Sequence, residues 1–149
     1  MAFNAISIKG RALRLLGQRE HSRLELERKL RQHETAPGEL ARTLDDLQAK
    51  GFINEQRVME SVIHRRAPRL GALRVRQELQ AKGLAPEAIS QAVAELRGSE
   101  VERAREVWRK KFGKSAPDAA GRAKQMRFLA TRGFGAETIH RVVQGGEDD

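Results

Sequence analysis

Leu79-Gln80-Ala81-Lys82-Gly83-Leu84-Ala85-Pro86-Glu87-Ala88-Ile89 returns fifty positions later as Leu129-Ala130-Thr131-Arg132-Gly133-Phe134-Gly135-Ala136-Glu137-Thr138-Ile139. Each stretch reads as a helix end, a basic residue, a glycine, an apolar residue and a new helix. At the same offset Gly71 falls on Gly121, Arg74 on Lys124 and Val93 on Val143. At an offset of 49 in the other direction, Leu30 falls on Leu79, Pro37 on Pro86, Leu40 on Ile89, Leu44 on Val93 and Leu47 on Leu96, with Ser22 in the place of Gly71. A fixed period of this size marks one supersecondary unit written in tandem, and three copies account for nearly all 149 residues.

Each copy reads as three helices. In the first, Ile8, Ala12, Leu15 and Leu16 have helical spacing. Ser22 with Glu25 makes a capping box for a second helix carrying Leu26 and Leu30. Pro37 suits the first turn of a third helix, whose stripe is Leu40, Leu44 and Leu47 and which ends at Lys50-Gly51. In the second copy Asn54 caps a helix bearing Val58, Met59, Val62 and Ile63. A helix from about Leu70 to Ala81 closes at Lys82-Gly83, and Pro86 opens the next, with Ile89, Val93 and Leu96 on one face. In the third, Ser99 with Glu102 reads as another capping box, and Val101, Ala104, Trp108 and Phe112 share a face. Pro117 and Asp118 break the chain, a helix runs to Thr131, Arg132-Gly133 ends it, and Thr138 to Val143 form the last. Gly145 to Asp149 make an acidic tail expected to fray.

No segment alternates with period two for long enough to make a strand. The expectation is an all-α fold of three tandem three-helix repeats in an elongated, curved array, with modules at 1–51, 52–98 and 99–149. Only 4% of residues are aromatic, which suits several thin cores better than one thick one. Cysteine is absent, which excludes disulfides, Cys–zinc sites and thiol catalysis. The first apolar stretch, Ala2 to Ile8, is interrupted by Lys9, Arg11 and Arg14 and reads as neither signal peptide nor membrane span, so a cytoplasmic, membrane-free protein is expected.

Sites for chemistry are lacking. His21, His33, His64 and His140 have no partner at metal-ligand spacing, and no nucleophile elbow or phosphate-cradling glycine motif is present. Carboxylate pairs such as Asp45-Asp46 sit among arginines and read as solvated faces. No catalytic residue, metal or cofactor is expected. The turns Lys50-Gly51-Phe52, Lys82-Gly83-Leu84 and Arg132-Gly133-Phe134 are explained by helix termination, with the apolar residue packing back on its module. Trp108 and Phe112 read as core rather than as base-stacking platforms.

Charge is the feature that points outward. There are 29 basic and 20 acidic residues, a net +9. Between His64 and Gln77 stand Arg65, Arg66, Arg69, Arg74 and Arg76 with no acid. Between Arg103 and Arg132 ten bases face two acids, Glu106 and Asp118. Arg109, Lys110, Lys111, Lys114, Arg122, Lys124, Arg127 and Arg132 of that zone, with Lys82, complete the set of candidate partner-binding residues. Such zones fit phosphates, an acidic protein groove or a merely solvated face.

Arg19-Glu20-His21-Ser22 with Leu26 and Arg28-Lys29-Leu30 resembles the first signature of the RecX family. Leu47 with Gly51-Phe52-Ile53-Asn54 resembles its second. Gly71 to Gly83, with Arg74, Arg76, Glu78-Leu79 and Lys82, resembles its third, and Phe128-Leu129 with Arg132-Gly133-Phe134 and Ile139 its last. Glu55 fits the pattern, whereas Val58-Met59 stands where the family carries an aromatic-Ala pair. The resemblance implies tandem three-helix modules in a bacterial cytoplasmic, non-enzymatic modulator of the RecA recombinase, usually an inhibitor. Such proteins lie in the groove of the RecA–single-stranded DNA filament and limit its growth, ATP hydrolysis and strand exchange. RecA is then the expected partner of a monomer, with weak, non-specific contact to single-stranded DNA. A tri-helical transcriptional regulator that binds duplex DNA directly is the alternative.

Overall fold

The computed structural model describes residues 6–145. Its elements are α1 (Ile8–Gln18), α2 (Arg23–Leu30), a 3-10 turn (Arg31–His33), α3 (Glu39–Ala49), α4 (Glu55–Arg66), α5 (Ala72–Ala81), α6 (Pro86–Arg97), α7 (Glu100–Lys111), α8 (Ala119–Thr131) and α9 (Ala136–Gly145). No strand occurs among the described residues, and the fold is all-α as the periodicity predicts. The acidic tail beyond Gly145 lies outside the described residues.

The chain packs as two compact units. One comprises the residues through Ser61 together with Ala81–Leu84, and the other Val62–Gln80 together with Ala85 onward. In the first unit α1, α2 and α3 pack on one another. Their stripes meet in a core of Ile8, Ala12, Leu26, Leu30, Leu40, Leu44, Leu47 and Ile53. Burying each of the large aliphatic side chains stabilises by roughly 1.5–3 kcal/mol. The Ser22 hydroxyl accepts from Glu25 N–H and the Glu25 carboxylate accepts from Ser22 N–H, so the predicted capping box starts α2. Asn54 Oδ1 likewise accepts from Arg57 N–H at the start of α4.

Two expectations change in this unit. Pro37 does not enter α3, which begins at Glu39. Glu39 N–H donates to Ala36 C=O at 3.1 Å and Gly38 has φ 83°. The Pro-Gly pair therefore makes a type II turn, and that preference overrides proline's fitness for a first helical turn. After the left-handed Gly51, Phe52 is 48% exposed and Ile53 only 2%. Arg57 donates to the carbonyls of Gly51 (2.7 Å) and Phe52 (3.4 Å), and the turn so held presents Ile53 to the core instead of Phe52. Leu84 and Phe134, in the equivalent turns, are buried as predicted.

In the second unit α6 packs on α7, and α7, α8 and α9 pack together around Ala104, Trp108, Leu129, Phe134, Ile139, Val142 and Val143. Trp108 is core, as expected. Its indole N–H donates to Gln125 Oε1 at 3.2 Å, and Gln125 Nε2 donates to Lys114 C=O at 3.0 Å, so one buried amide satisfies the tryptophan and pins the loop before α8. Phe112 is half-buried and meets Phe128 edge-on, centroids 5.4 Å apart.

The predicted Ser99–Glu102 capping box is absent. Ser99 has φ −112° and ψ 6° rather than the extended backbone an N-cap needs, because α6 passes into α7 through only two residues, Gly98 and Ser99. Its hydroxyl instead donates to Leu96 C=O (3.2 Å) and accepts from Arg103 Nε (3.0 Å). Glu100 does the capping. This buried carboxylate accepts from Ala72 N–H (2.7 Å), Gly135 N–H (3.5 Å) and Thr138 Oγ1 (3.1 Å), which serves the starts of both α5 and α9. Gly71 is also more than a helix-start glycine. Gly71 N–H donates to Arg132 C=O at 2.8 Å and Leu73 N–H to Gly133 C=O at 3.2 Å, and a Cβ at Gly71 would overlap the Gly133 carbonyl.

Candidate partner-binding surfaces

The fourteen cations singled out by charge fall into distinct environments. Arg65 and Arg66, at the end of α4, both reach Glu78, at 3.9 and 2.9 Å. Arg74 donates Nη1 to Thr131 C=O at 2.6 Å, and Arg122 donates to the carbonyls of Ala116 (3.2 Å) and Pro117 (2.9 Å). Arg76 is half-buried on α5. Lys82 pairs with Glu25 at 3.2 Å with its side chain only 12% exposed. The five of these with named partners hold pieces of the fold together. Lys114, Lys124 and Arg127 are exposed around α8, and Arg109 pairs with Glu106 at 3.0 Å.

The remaining four converge. Arg69, Lys110, Lys111 and Arg132 line a groove of about 320 Å³ in the second unit, with Pro68, Val107 and Phe128 as apolar walls and Glu106 as its acid. The Arg132 guanidinium lies 4.8 Å from the Phe128 ring centre and the Lys111 ammonium 5.6 Å from it. Lys110 reaches Glu106 at 3.9 Å. Cations over an aromatic wall, beside a carboxylate already shared by two bases, suit a partner that brings both negative charge and apolar side chains.

Charge counting also included a residue that does not belong to any surface. Arg103 donates Nη1 to the carbonyls of Ala67 (2.8 Å) and Leu70 (2.7 Å), Nη2 to Leu96 C=O (3.0 Å) and Nε to Ser99. Burial pushes this guanidinium down from its ordinary value. It is an internal clamp on the α4–α5 loop.

Two features of the first unit escaped the charge windows. The signature at 19–22 proves to be a polar network around the start of α2. Arg19 meets Glu25 at 2.6 Å and Glu20 meets Arg57 at 2.7 Å. Burial raises the Glu25 carboxyl, but Arg19, the Ser22 N–H and Lys82 together outweigh it and hold it down to about 2. His21, 1% exposed, donates Nδ1–H to Arg19 C=O at 3.0 Å and accepts from Lys29 Nζ at 3.1 Å. Burial lowers its pKa, with the neighbouring cations Arg19 and Lys29 adding to that effect. The second feature is a cleft of about 190 Å³ lined by Arg11, Arg14, Leu15, Lys29, Leu30 and His33. Its signal was available: α1 contains Lys9, Arg11 and Arg14 and no acid. Among the described residues no three His, Cys, Asp or Glu side chains are grouped to hold a metal ion, and no helix is long and apolar enough to cross a membrane.

Fold and surfaces together define an all-α protein of three-helix units that presents cationic surfaces. Three successive stretches of the chain, residues 9–47, 54–93 and 99–143, match the first, second and third three-helix domains of RecX. The regulatory protein RecX of Leptothrix cholodnii is 50% identical over 139 residues, 93% of this chain and 88% of that protein. That of Herminiimonas arsenicoxydans is 45% identical over 149 residues, 100% of this chain and 99% of that one. A crystal structure of RecX from Lactobacillus salivarius superposes with a TM-score of 0.74 at 20% identity, covering 93% of each chain, and shows the same fold. This chain belongs to the RecX family of regulatory proteins.

Proposed function

We propose that the chain is a non-catalytic, cytoplasmic inhibitor of the RecA recombinase that acts as a monomer. It binds in the groove of the RecA–single-stranded DNA filament and limits filament growth, ATP hydrolysis and strand exchange. The observation that carries this reading is the convergence of Arg69, Lys110, Lys111 and Arg132 around Phe128 in one groove. A protein surface rich in carboxylates and aliphatic side chains would satisfy both the charge and the apolar walls. The family membership supports a regulatory role.

The test is RecA's single-stranded-DNA-dependent ATPase with this protein added below stoichiometry. Inhibition is expected, and Lys110→Ala with Lys111→Ala should weaken it about five- to tenfold while the circular dichroism spectrum is retained. No inhibition and no filament binding would sink the reading. Tight, sequence-specific duplex binding would instead favour the transcriptional-regulator alternative.

A further inference from the structure

Arg103 belongs to the most basic stretch of the chain, yet its guanidinium is turned inward onto backbone carbonyls. We propose that it is the positioning residue of the groove: by holding the carbonyls of Ala67 and Leu70 it sets Pro68 and Arg69 in register with the groove-lining side chains of α7. This deepens the groove reading given above and rests on it for the identity of the partner, but not for the geometry.

The wall in question is a loop. α4 ends at Arg66 and α5 begins at Ala72, which leaves residues 67–71 between them. Pro68 has no N–H to give. The N–H groups of Arg69 and Leu70 both donate to Arg66 C=O, at 2.9 and 2.8 Å, and close the turn. The carbonyls of Ala67 and Leu70 accept from Arg103 Nη1 at 2.8 and 2.7 Å. On its other side the same guanidinium gives Nη2 to Leu96 C=O and Nε to Ser99 Oγ, both at 3.0 Å, where α6 passes into α7. The far end of the loop is tied to α8 by Gly71 N–H on Arg132 C=O at 2.8 Å. Pro68 and Arg69 therefore stand between two anchors, and Arg103 is the one supplied by a side chain.

Its place on α7 gives that anchor a consequence for binding. Arg103, Val107 and Lys110 follow one another at steps of four and three and so share a face of the helix. Val107 and Lys110 line the groove opposite Pro68 and Arg69. The bond from Arg103 to the loop thus fixes one wall to the helix that supplies the other. Arg69 itself is exposed, and a charged arm on a loose loop would lose freedom on meeting a partner. A loop ordered beforehand has less to lose. The planar guanidinium fork reaches three carbonyls and a hydroxyl at once, whereas a lysine ammonium is a single point on a flexible stem. Bonds from a charged donor are also the stronger kind.

The test is a double-mutant cycle on the full chain between Arg103→Lys, which keeps the net charge, and Arg69→Ala. It is read as the concentration that half-inhibits RecA's ATPase. Each single variant should raise that concentration about threefold. Together they should raise it about three- to fourfold rather than the roughly ninefold of independent sites, because Arg69 is already misplaced once the fork is gone. A role in stability alone would give the ninefold product and overturn the proposal, and so would full inhibition by Arg103→Lys. Amide hydrogen exchange supplies a reading that needs no recombinase. In Arg103→Lys it should quicken about tenfold at Arg69 and Leu70 while the amides of α8 and α9 stay unchanged. Unchanged exchange at those two amides, or equal quickening across the unit, overturns the proposal whether or not the chain inhibits RecA. If the wild type neither inhibits nor binds the filament while exchange quickens at Arg69 and Leu70 alone, the RecA reading falls and the positioning role stands. Ser99→Ala, which takes away the acceptor of Nε and leaves the guanidinium in place, repeats both measurements if Arg103→Lys does not fold, with smaller shifts in the same direction.

Discussion

The two units build cationic surfaces in opposite ways. In the first, the carboxylates of the α2 network are paired with other bases, and the half-buried Arg11 and exposed Arg14 of α1 border an aliphatic cleft without an acid in its lining. In the second, Glu106 stays inside the groove, shared by Arg109 and Lys110, and an aromatic wall lies under Lys111 and Arg132. Net charge alone ranked the second region highest. The acids are arranged differently in the two: outside the cleft in the first, and inside the groove, beside an aromatic wall, in the second. Where a fold places its carboxylates decides what its cations are free to do.

The largest expected effect tests how the second unit holds its groove together. Gly71→Ala would drive a methyl into the Gly133 carbonyl and strain the bond from Gly71 N–H to Arg132 C=O. We expect a loss of about 3 kcal/mol, a fall in Tm on the order of 10 °C by calorimetry. Gly17→Ala, in α1 of the first unit, meets nothing within 4 Å and should stabilise by about 0.5–1 kcal/mol. If the two glycines tolerated alanine equally, the tight α5-to-α8 contact would not be what positions Arg69 beside Arg132.

Next in size is the network that spares the cleft. Glu25→Gln removes the carboxylate shared by Arg19, Ser22 and Lys82 and should cost roughly 2–4 kcal/mol at pH 7 in urea unfolding. The folded-state pKa is lowered to about 2 from 4.5, so the carboxylate's contribution is fully present above pH 4.5 and is lost as pH falls toward 2. The gap between wild type and variant should therefore close on acidification. A gap undiminished at pH 2 would mean that the side chain acts through shape rather than charge.

A smaller effect compares the surfaces themselves. Lys110→Ala with Lys111→Ala should reduce ATPase inhibition by about five- to tenfold, or 1–1.4 kcal/mol, and Arg11→Gln with Arg14→Gln, which removes the same charge from the first unit, by less than about twofold. Equal losses from both variants would erase the distinction between the units and leave only net charge.

Much of this was legible in sequence. Left-handed glycines at 51, 83 and 133, the Ser22–Glu25 box, the Asn54 cap and the apolar stripes are local or periodic properties, and they formed as the spacing required. Two local signals, Pro37 and Ser99, were overruled by the turn and the short connection they sit in, and the environments of the cations depend on partners distant in sequence. Arg74, Lys82 and Arg103 look like free cations in a list, yet their donors are aimed at Thr131, Glu25 and the α4–α5 loop, up to 57 residues away. The groove around Phe128 brings together residues from 68 to 132, a convergence no window of charge can show. The acid-free α1 was the exception, a local signal masked by the larger surpluses downstream.

The smallest expected effect isolates His21, the one buried histidine among the described residues. Its environment is fully used in the neutral form: Nδ1–H gives to Arg19 C=O, and Nε2 takes from the Lys29 ammonium. A second proton would face Lys29 directly. Burial and the two adjacent cations lower its pKa below 6.5 in the folded chain, whereas the unfolded chain protonates normally. The unfolded state thus binds more protons, and stability is complete above pH 6.5 and declines below it, by at most about 1.4 kcal/mol per pH unit. The urea midpoint of the wild type should fall between pH 7.5 and 5.5, well above the window in which Glu25 titrates. His21→Gln should lose some stability at neutral pH and flatten that dependence. A wild-type midpoint independent of pH over this range would show that the folded chain protonates His21 as readily as the unfolded one, and that neither burial nor the two cations penalise the charged ring.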